Sequence, residues 1–279
     1  MRSGICEDTF RTDIWKQTAH LKYITMAGKR SEMTIYILGS AGWIPGTNET
    51  SCIMVENREE LFILDAGTGM SNLRKYRGVL DRYDTVHLLL SHYHLDHMIG
   101  LIYIDPFIRE KRFRIYGPGR MAYPETTEYY LHAFLRKEFF SRSIDTFSHD
   151  VRIMDFPAES FFIGDTKITV AEQKHSAPSF RITLDDRLIY ATDTVFQADA
   201  WSGISADVLF HECWEYAQSG HERHTSLLQL KDHLPLDHFG RVFQIHHNPD
   251  WSRDDYRIIG EMTAGTNIFL AEDGMEIRI

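Results

Sequence analysis

The run His92-Tyr93-His94-Leu95-Asp96-His97 puts four side chains of metal-ligating type into one short stretch of a 279-residue chain. Imidazole nitrogens and a carboxylate oxygen suit borderline-to-hard divalent ions such as zinc, manganese or iron, and no cysteine stands close enough for a thiolate site. Directly after a strand, residues 92 and 94 can point the same way while the backbone turns into a helix. Asp96 and His97 are then offered in a second direction, so one short loop can feed two metal ions. A pair of divalent cations about 3.5–4 Å apart acidifies a water between them and neutralises charge on the attacking and leaving oxygens of a displacement. Hydrolysis is the chemistry to expect.

Such a loop needs strands to present it. Apolar stretches of strand length closed by turn residues recur at Thr34 to Leu38, Ser51 to Val55, Leu61 to Leu64 and Thr85 to Leu90. Similar stretches follow at 112–116, 151–155, 166–172, 180–184, 188–191, 208–211, 241–245, 267–271 and 275–279. The run from Thr85 is almost continuously apolar and ends in the ligand-type residues, as expected of a buried strand delivering them from its C-terminal end. Helices are expected over 70–76, 97–103, 125–140, 226–233 and 254–262. Strands and helices are interspersed, which predicts two sheets with helices outside.

With these residues in view, the sequence resembles the metallo-β-lactamase superfamily, whose signature is His-x-His-x-Asp-His after a strand. The resemblance runs from about Met33 to the C-terminus and implies an α/β fold, the four-layer αββα sandwich. It also implies roles for further residues. Asp65 in Leu-Asp-Ala-Gly-Thr-Gly matches the first motif's carboxylate, His175 the third-motif histidine, Asp193 in Tyr-Ala-Thr-Asp-Thr the bridging aspartate and His246 the last histidine. By that resemblance His92, His94 and His175 hold one metal ion and Asp96, His97 and His246 the other. Asp193 bridges them together with a hydroxide, and Asp96 counts with the catalytic residues too. His247 competes with His246 on spacing alone. Asp65 is expected behind the ligands, accepting a hydrogen bond from a ligand histidine and fixing its tautomer. Two divalent ions are implied, zinc first, with manganese or iron as alternatives.

Within the superfamily the sequence looks most like the ribonuclease Z and cyclic phosphodiesterase branch. Leu38-Gly39-Ser40, the Tyr-Ala-Thr-Asp-Thr motif, His211-Glu212, His224-Thr225-Ser226 and His246-His247-Asn248-Pro249 carry this likeness. Ribonuclease Z enzymes carry a long basic tRNA-binding arm between the third-motif histidine and the bridging aspartate. Here Asp193 follows His175 by 18 positions, and Ser179-Phe180-Arg181 stands where a Gly-Tyr-Arg run is usual. The expected substrate is therefore a small phosphodiester, such as a cyclic nucleotide or cyclic sugar phosphate. His224, oriented by Glu212, is the expected proton donor to the leaving oxygen. A lactone or thioester hydrolase, a tRNA-processing nuclease and a non-hydrolytic metal-binding protein are the competing readings.

A net charge of -10 disfavours stable binding to duplex nucleic acid. Cys6, Cys52 and Cys213 form no Cys-x-x-Cys pair, which points to free thiols and a reducing compartment. No secretory core or membrane span is evident, so a cytoplasmic protein without membrane partner is expected. Residues 1–32 read as an N-terminal extension or upstream start, and residues 33–279 as the hydrolase domain. The aromatic and charged segment Tyr123 to Phe147 reads as an amphipathic helix on the body, with a lid or homodimer contact as the alternative. Trp43, Trp201, Trp214, Tyr216 and Trp251 fall near expected site loops, where any of them could grip a base.

Overall fold

A computed structural model of the chain describes residues 31–217 and 223–279, and Glu32–Ile279 forms one compact unit. The expected extension and Cys6 lie outside the described residues. One seven-stranded sheet contains β1 (Met33–Gly39), β2 (Cys52–Asn57), β3 (Glu60–Leu64), β4 (Thr85–Leu89), β5 (Arg112–Gly117), β6 (Asp150–Asp155) and, from the C-terminus, β14 (Glu276–Arg278). Its order is β14-β1-β2-β3-β4-β5-β6. The other holds β7 (Ser160–Ile163), β8 (Thr166–Gln173), β9 (Ser179–Leu184), β10 (Leu188–Ala191), β11 (Ala206–Glu212), β12 (Phe239–Ile245) and β13 (Ile268–Leu270), in the order β13-β12-β11-β10-β9-β8-β7.

Side-chain alternation explains how the sheets stack. Along β1, Met33, Ile35 and Ile37 enter a core shared with Ile168, Val170, Ile182, Leu188, Val208 and Phe243 of the other sheet. Tyr36 and Leu38 face the opposite way, into a cluster with Met70 and Leu73, Leu80 of α1 (Arg77–Leu80), and Leu101, Ile104 and Ile108 of α2 (Leu101–Ile108). On the outer face of the second sheet, Ile189, Leu209 and Val242 pack with Leu227 and Leu230 of α4 (Leu227–His233) and Ile259 of α5 (Arg253–Thr263). Helix, sheet, sheet, helix is the expected four-layer αββα sandwich. Strand β4 is buried on both faces, with Leu89 in the inter-sheet core and Val86 and Leu88 under the helices, which is why its sequence hardly alternates.

Each sheet is half parallel. Strands β3 to β6 run parallel in one and β10 to β13 in the other. In open sheets of this kind ligands bind beyond the carboxyl ends of parallel strands. Asp65 lies just past β3, the His92–His97 loop past β4, Asp193 past β10 and His246 past β12, while Glu212 closes β11.

Three local expectations need correction. The helix expected over 125–140 is confined to α3 (Thr127–Phe134), capped by Thr126. Leu131 and Leu135 are buried in the helix-side cluster, but Arg136, Lys137 and Glu138 supply no apolar face to hold another turn. The helix expected over 97–103 starts later, at Leu101, because Leu95–His97 forms a tight 3-10 turn that points His97 inward. Strand β7 was not expected; it is a four-residue edge strand with Phe162 exposed, and its Phe161-Phe162-Ile163 run is too short to stand out as a strand. No helix among the described residues is long and apolar enough to cross a membrane.

Candidate metal centre

The residues at these strand ends leave extended geometry abruptly. Asp65, Asp193 and His246 all adopt positive φ, at 56°, 45° and 54°. For residues other than glycine this left-handed conformation costs on the order of 1 kcal/mol or more, and it persists where surrounding contacts overdetermine it. Here those contacts converge on one cluster. His92, His94, His175 and Asp193 bring one ligand-type atom each to within 4.8 Å of one another, and so do Asp96, His97 and His246.

Asp193 lies between the two groups. Its Oδ1 is 3.3 Å from His175 Nε2 and 4.0 Å from His92 Nε2, while its Oδ2 is 2.9 Å from His97 Nε2 and 3.1 Å from His246 Nε2. Thr192 Oγ1 donates to Oδ2 at 2.9 Å. Asp96 Oδ2 meets His97 Nε2 and His246 Nε2, each at 3.3 Å, and accepts the Trp43 backbone N–H at 2.8 Å.

Behind the cluster, the far side of most rings is held. His97 Nδ1 is 2.7 Å from Asp65 Oδ2, His92 Nδ1 is 3.0 Å from Ser91 Oγ, and His175 Nδ1 is 3.0 Å from the Arg223 carbonyl. Each contact leaves Nε2 to face the cluster, the usual way in which the partner of one ring nitrogen fixes the role of the other. Asp65 is fully buried and also accepts from Ser91 N and Ser91 Oγ, both at 2.7 Å, and from Tyr190 Oη at 2.8 Å. The Tyr190 hydroxyl reaches across from the other sheet, a contact that the sequence did not announce.

Electrostatics match a cation site. Burial alone would raise the Asp96 and Asp193 carboxyls, but the neighbouring His97 and His246 rings outweigh it and hold both well below the usual carboxylate range. Burial and the His97 ring push His92 well down, and burial lowers His94 and His175, so these rings stay in the neutral form that ligates. Burial opposes a charge on His97, yet Asp96, Asp193 and Asp65 around it raise it well above the ordinary value. Nε2 of His92 is buried without a hydrogen-bond partner, and Nε2 of His97, 2.9 Å from Asp193, makes no well-aligned hydrogen bond. Orphaned ring nitrogens aimed at shared carboxylates fit a divalent cation in each group: neutral imidazole with carboxylate is a donor set for zinc, manganese or iron.

His224 stands at the rim. Its Nδ1 is 3.0 Å from Glu212 Oε2, and with Asp193 and His246 it forms a third ligand-type group. Glu212 is fully buried and accepts the Thr194 backbone N–H; burial and the nearby Asp193 charge raise its carboxyl well above the ordinary value. Burial and the His246 ring lower His224 to about 4. Ser226 caps α4 with a capping box through Gln229, so the cap belongs to Ser226 and the His224 ring turns inward to Glu212. Trp214 stacks on His224 with centroids 4.9 Å apart.

The adjacent His246 and His247 face different ways. His246 faces Asp96 and Asp193, whereas His247 sets Nε2 2.8 Å from the Gln244 carbonyl and stacks on Trp251. Trp251 and Trp201 therefore serve packing: Trp201 is buried against His211 and Phe239. Tyr216 donates to Asp255, which completes the capping box of α5 with Ser252. Of the five aromatics expected near the site, only Trp43 and Trp214 touch the residues of the cluster or His224. Gly42 was also missed: a Cβ there would come within 2.4 Å of the His246 ring, so only glycine lets the loop after β1 lie against it.

Comparison with known proteins places this geometry. The family described as "Anti-Pycsar protein Apyc1" matches residues 33–266. A ribonuclease Z of Methanopyrus kandleri is 24% identical over 156 residues, 53% of this chain, and the chain spans about half (48%) of that protein's length. Among solved structures, the metallo-β-lactamase fold protein YhfI of Bacillus subtilis superposes with a TM-score of 0.68 at 20% identity, over 89% of this chain and 100% of that one. A diphosphatase from the PhnP family gives 0.63 at 16% identity, over 88% and 97%. The fold is that of the metallo-β-lactamase superfamily.

Proposed function

The chain belongs to the Anti-Pycsar protein Apyc1 family, and from its donor cluster we propose that it is a dinuclear metal-dependent hydrolase cleaving a small phosphodiester, such as a cyclic nucleotide or cyclic sugar phosphate. The observation that carries this reading is the division of Asp193, with one carboxylate oxygen towards His92 and His175 and the other towards His97 and His246. A carboxylate so shared is the part a bridging ligand needs. His92, His94 and His175 would hold one ion, Asp96, His97 and His246 the other, and Asp193 both. Bound there, two divalent cations supply an acidified water and neutralise charge on the attacking and leaving oxygens.

The protein's own groups do the rest. The Trp43 N–H holds one oxygen of Asp96, and Asp65 holds the His97 ring, so both ligands are oriented before any ion arrives. With Nδ1 held by Glu212, His224 is the residue to which we give the proton transfer to the leaving oxygen, through its other ring nitrogen. Burial and the His246 ring hold it to about 4 without substrate, and a phosphodiester's negative charge beside the ring favours the imidazolium.

Three features support a small substrate at phosphorus. The interval from His175 to Asp193 is filled by the β9–β10 hairpin, with no inserted arm. The net charge of -10 is a poor match for a polyanion. A ribonuclease and a diphosphatase, among the similar proteins, by name act at phosphorus. Purified protein loaded with manganese or zinc is expected to turn over bis-(p-nitrophenyl) phosphate and to leave a lactone intact. Stoichiometric metal with no diester turnover under any of zinc, manganese or iron would overturn the reading, and faster lactone opening would move it to carbon esters.

A further inference from the structure

We infer that Trp43 is a stacking platform for a planar heteroaromatic group of the substrate, a nucleobase, at the mouth of the metal centre. This rests on the phosphodiesterase reading and extends it to the substrate's other end. Trp43 sits in the loop after β1 at φ 60°, a left-handed conformation that is a genuine outlier for so bulky a residue. Glycines stand nearby at 42 and 46, so the chain has the means to relieve such a position without an indole. Packing does not account for it either, because the side chain is 61% exposed. A strained, exposed aromatic that gains little from burial is a candidate for function.

Its placement says which function. The Trp43 N–H binds Asp96 Oδ2, and Gly42 lets the preceding residue lie against the His246 ring. The backbone that carries the indole is thus fixed beside two members of the cluster. The loop is braced at its base too: Asp273 accepts from Ser40 N, Ser40 Oγ and Glu49 N, while Gly42 N donates to the His247 carbonyl. Exposed Ile44 follows Trp43, and exposed Leu95 precedes Asp96, so the rim around that carboxylate is apolar on both chain segments that meet there. Across His246, Trp214 lies 5.6 Å from the ring. A polar phosphoryl-binding floor with an apolar, aromatic rim suits a ligand with an anionic end and a flat hydrophobic end. Base-on-aromatic stacking of this kind is tolerant of base identity.

The test compares ligands that share a phosphate and differ in the base. Calorimetric titration of the full-length, metal-loaded protein with the four common nucleoside 5′-monophosphates and with ribose 5-phosphate is expected to give roughly tenfold tighter binding for the best nucleotide. Trp43→Ala is expected to bring that ratio close to one, and Trp43→Phe to keep most of it. An unchanged ratio in Trp43→Ala, or no preference for any nucleotide over ribose 5-phosphate, would overturn the inference. If Trp43→Ala instead abolished self-association with the ratio intact, the apolar rim would be a contact between copies and the inference would fall. Failure of the phosphodiesterase reading looks different: no diester is turned over, whatever the base preference.

Discussion

At the scale of single residues, the contact between His224 and Glu212 makes the most specific forecast. If His224 protonates the leaving oxygen, its removal matters in proportion to how badly that oxygen needs a proton. His224→Ala is expected to lower kcat by about 10²–10⁴-fold on a diester with an alkyl leaving group, and far less on one that expels p-nitrophenolate. Steady-state rates on the two substrates, with metal content measured alongside, check this; an equal loss on both would assign His224 to structure or metal binding. The histidine and aspartate ligand types were legible from His92 onward because one short motif fixes four of them. Asp65, His175, Asp193 and His246 needed the resemblance, since nothing in their local spacing marks them. Tyr190 and Ser91 were not legible at all. Their hydroxyls act only through a carboxylate that folding brings to them, 125 positions away in the case of Tyr190.

Strand ends explain how a chain can place these residues so closely, and loops explain where it went unread. Runs such as Thr85 to Leu90 announced strands well, and the capping pairs Ser226/Gln229 and Ser252/Asp255 sit where the helices were expected to begin. By contrast, the glycine-flanked loop from Gly39 to Gly46 reads from sequence only as a turn at the edge of the site. Its role comes from a three-dimensional approach to His246 and Asp96 that no local pattern encodes. Gly42→Ala tests that element. With a Cβ within 2.4 Å of the ring, either the loop or His246 must move, and a displacement near 1 Å at a reacting centre costs up to about 100-fold in rate. We expect kcat/KM to fall by at least roughly tenfold with little change in urea midpoint; a rate within twofold of the parent would mean that the loop yields without consequence.

For the molecule as a whole, the ligand-type residues of the cluster come from both sheets: 92–97 from the first, and His175, Asp193 and His246 from the second. Ions bound there would link the two layers and favour the folded state by mass action. At free metal about 100-fold above Kd, removal by a chelator should cost about 2.7 kcal/mol per site, a fall of several degrees in Tm. Differential scanning calorimetry before and after chelation reads this directly, and an unchanged Tm with metal demonstrably lost would contradict it.

Acid should weaken the fold through a group outside that cluster. His87 is buried on β4 with Nε2 2.9 Å from Glu60 and Nδ1 unpartnered. Burial, then Arg114 and Arg112, lower it from 6.5 to about 4. Between those values the unfolded chain takes a proton that the folded protein refuses. Its contribution to stability is therefore intact above about 6.5 and declines towards pH 4, by up to roughly 3 kcal/mol. Urea unfolding at pH 7 and 4.5 should reveal a smaller loss in His87→Gln than in the parent, and equal losses would exclude His87 as the source.

The C-terminal strand gives the assembly a last property. Strand β14 leaves the second half of the chain to pair with β1, residue 278 opposite residue 34. The halves are therefore laced, with the later one lending a strand to the earlier one's sheet. The exposed link at Pro157–Glu159, between β6 and β7, is the natural place for a protease to nick. A chain cut there should travel as a single particle through gel filtration. Its two fragments, made separately, are natural partners for complementation, with strand exchange holding them and metal capture reporting that they have met.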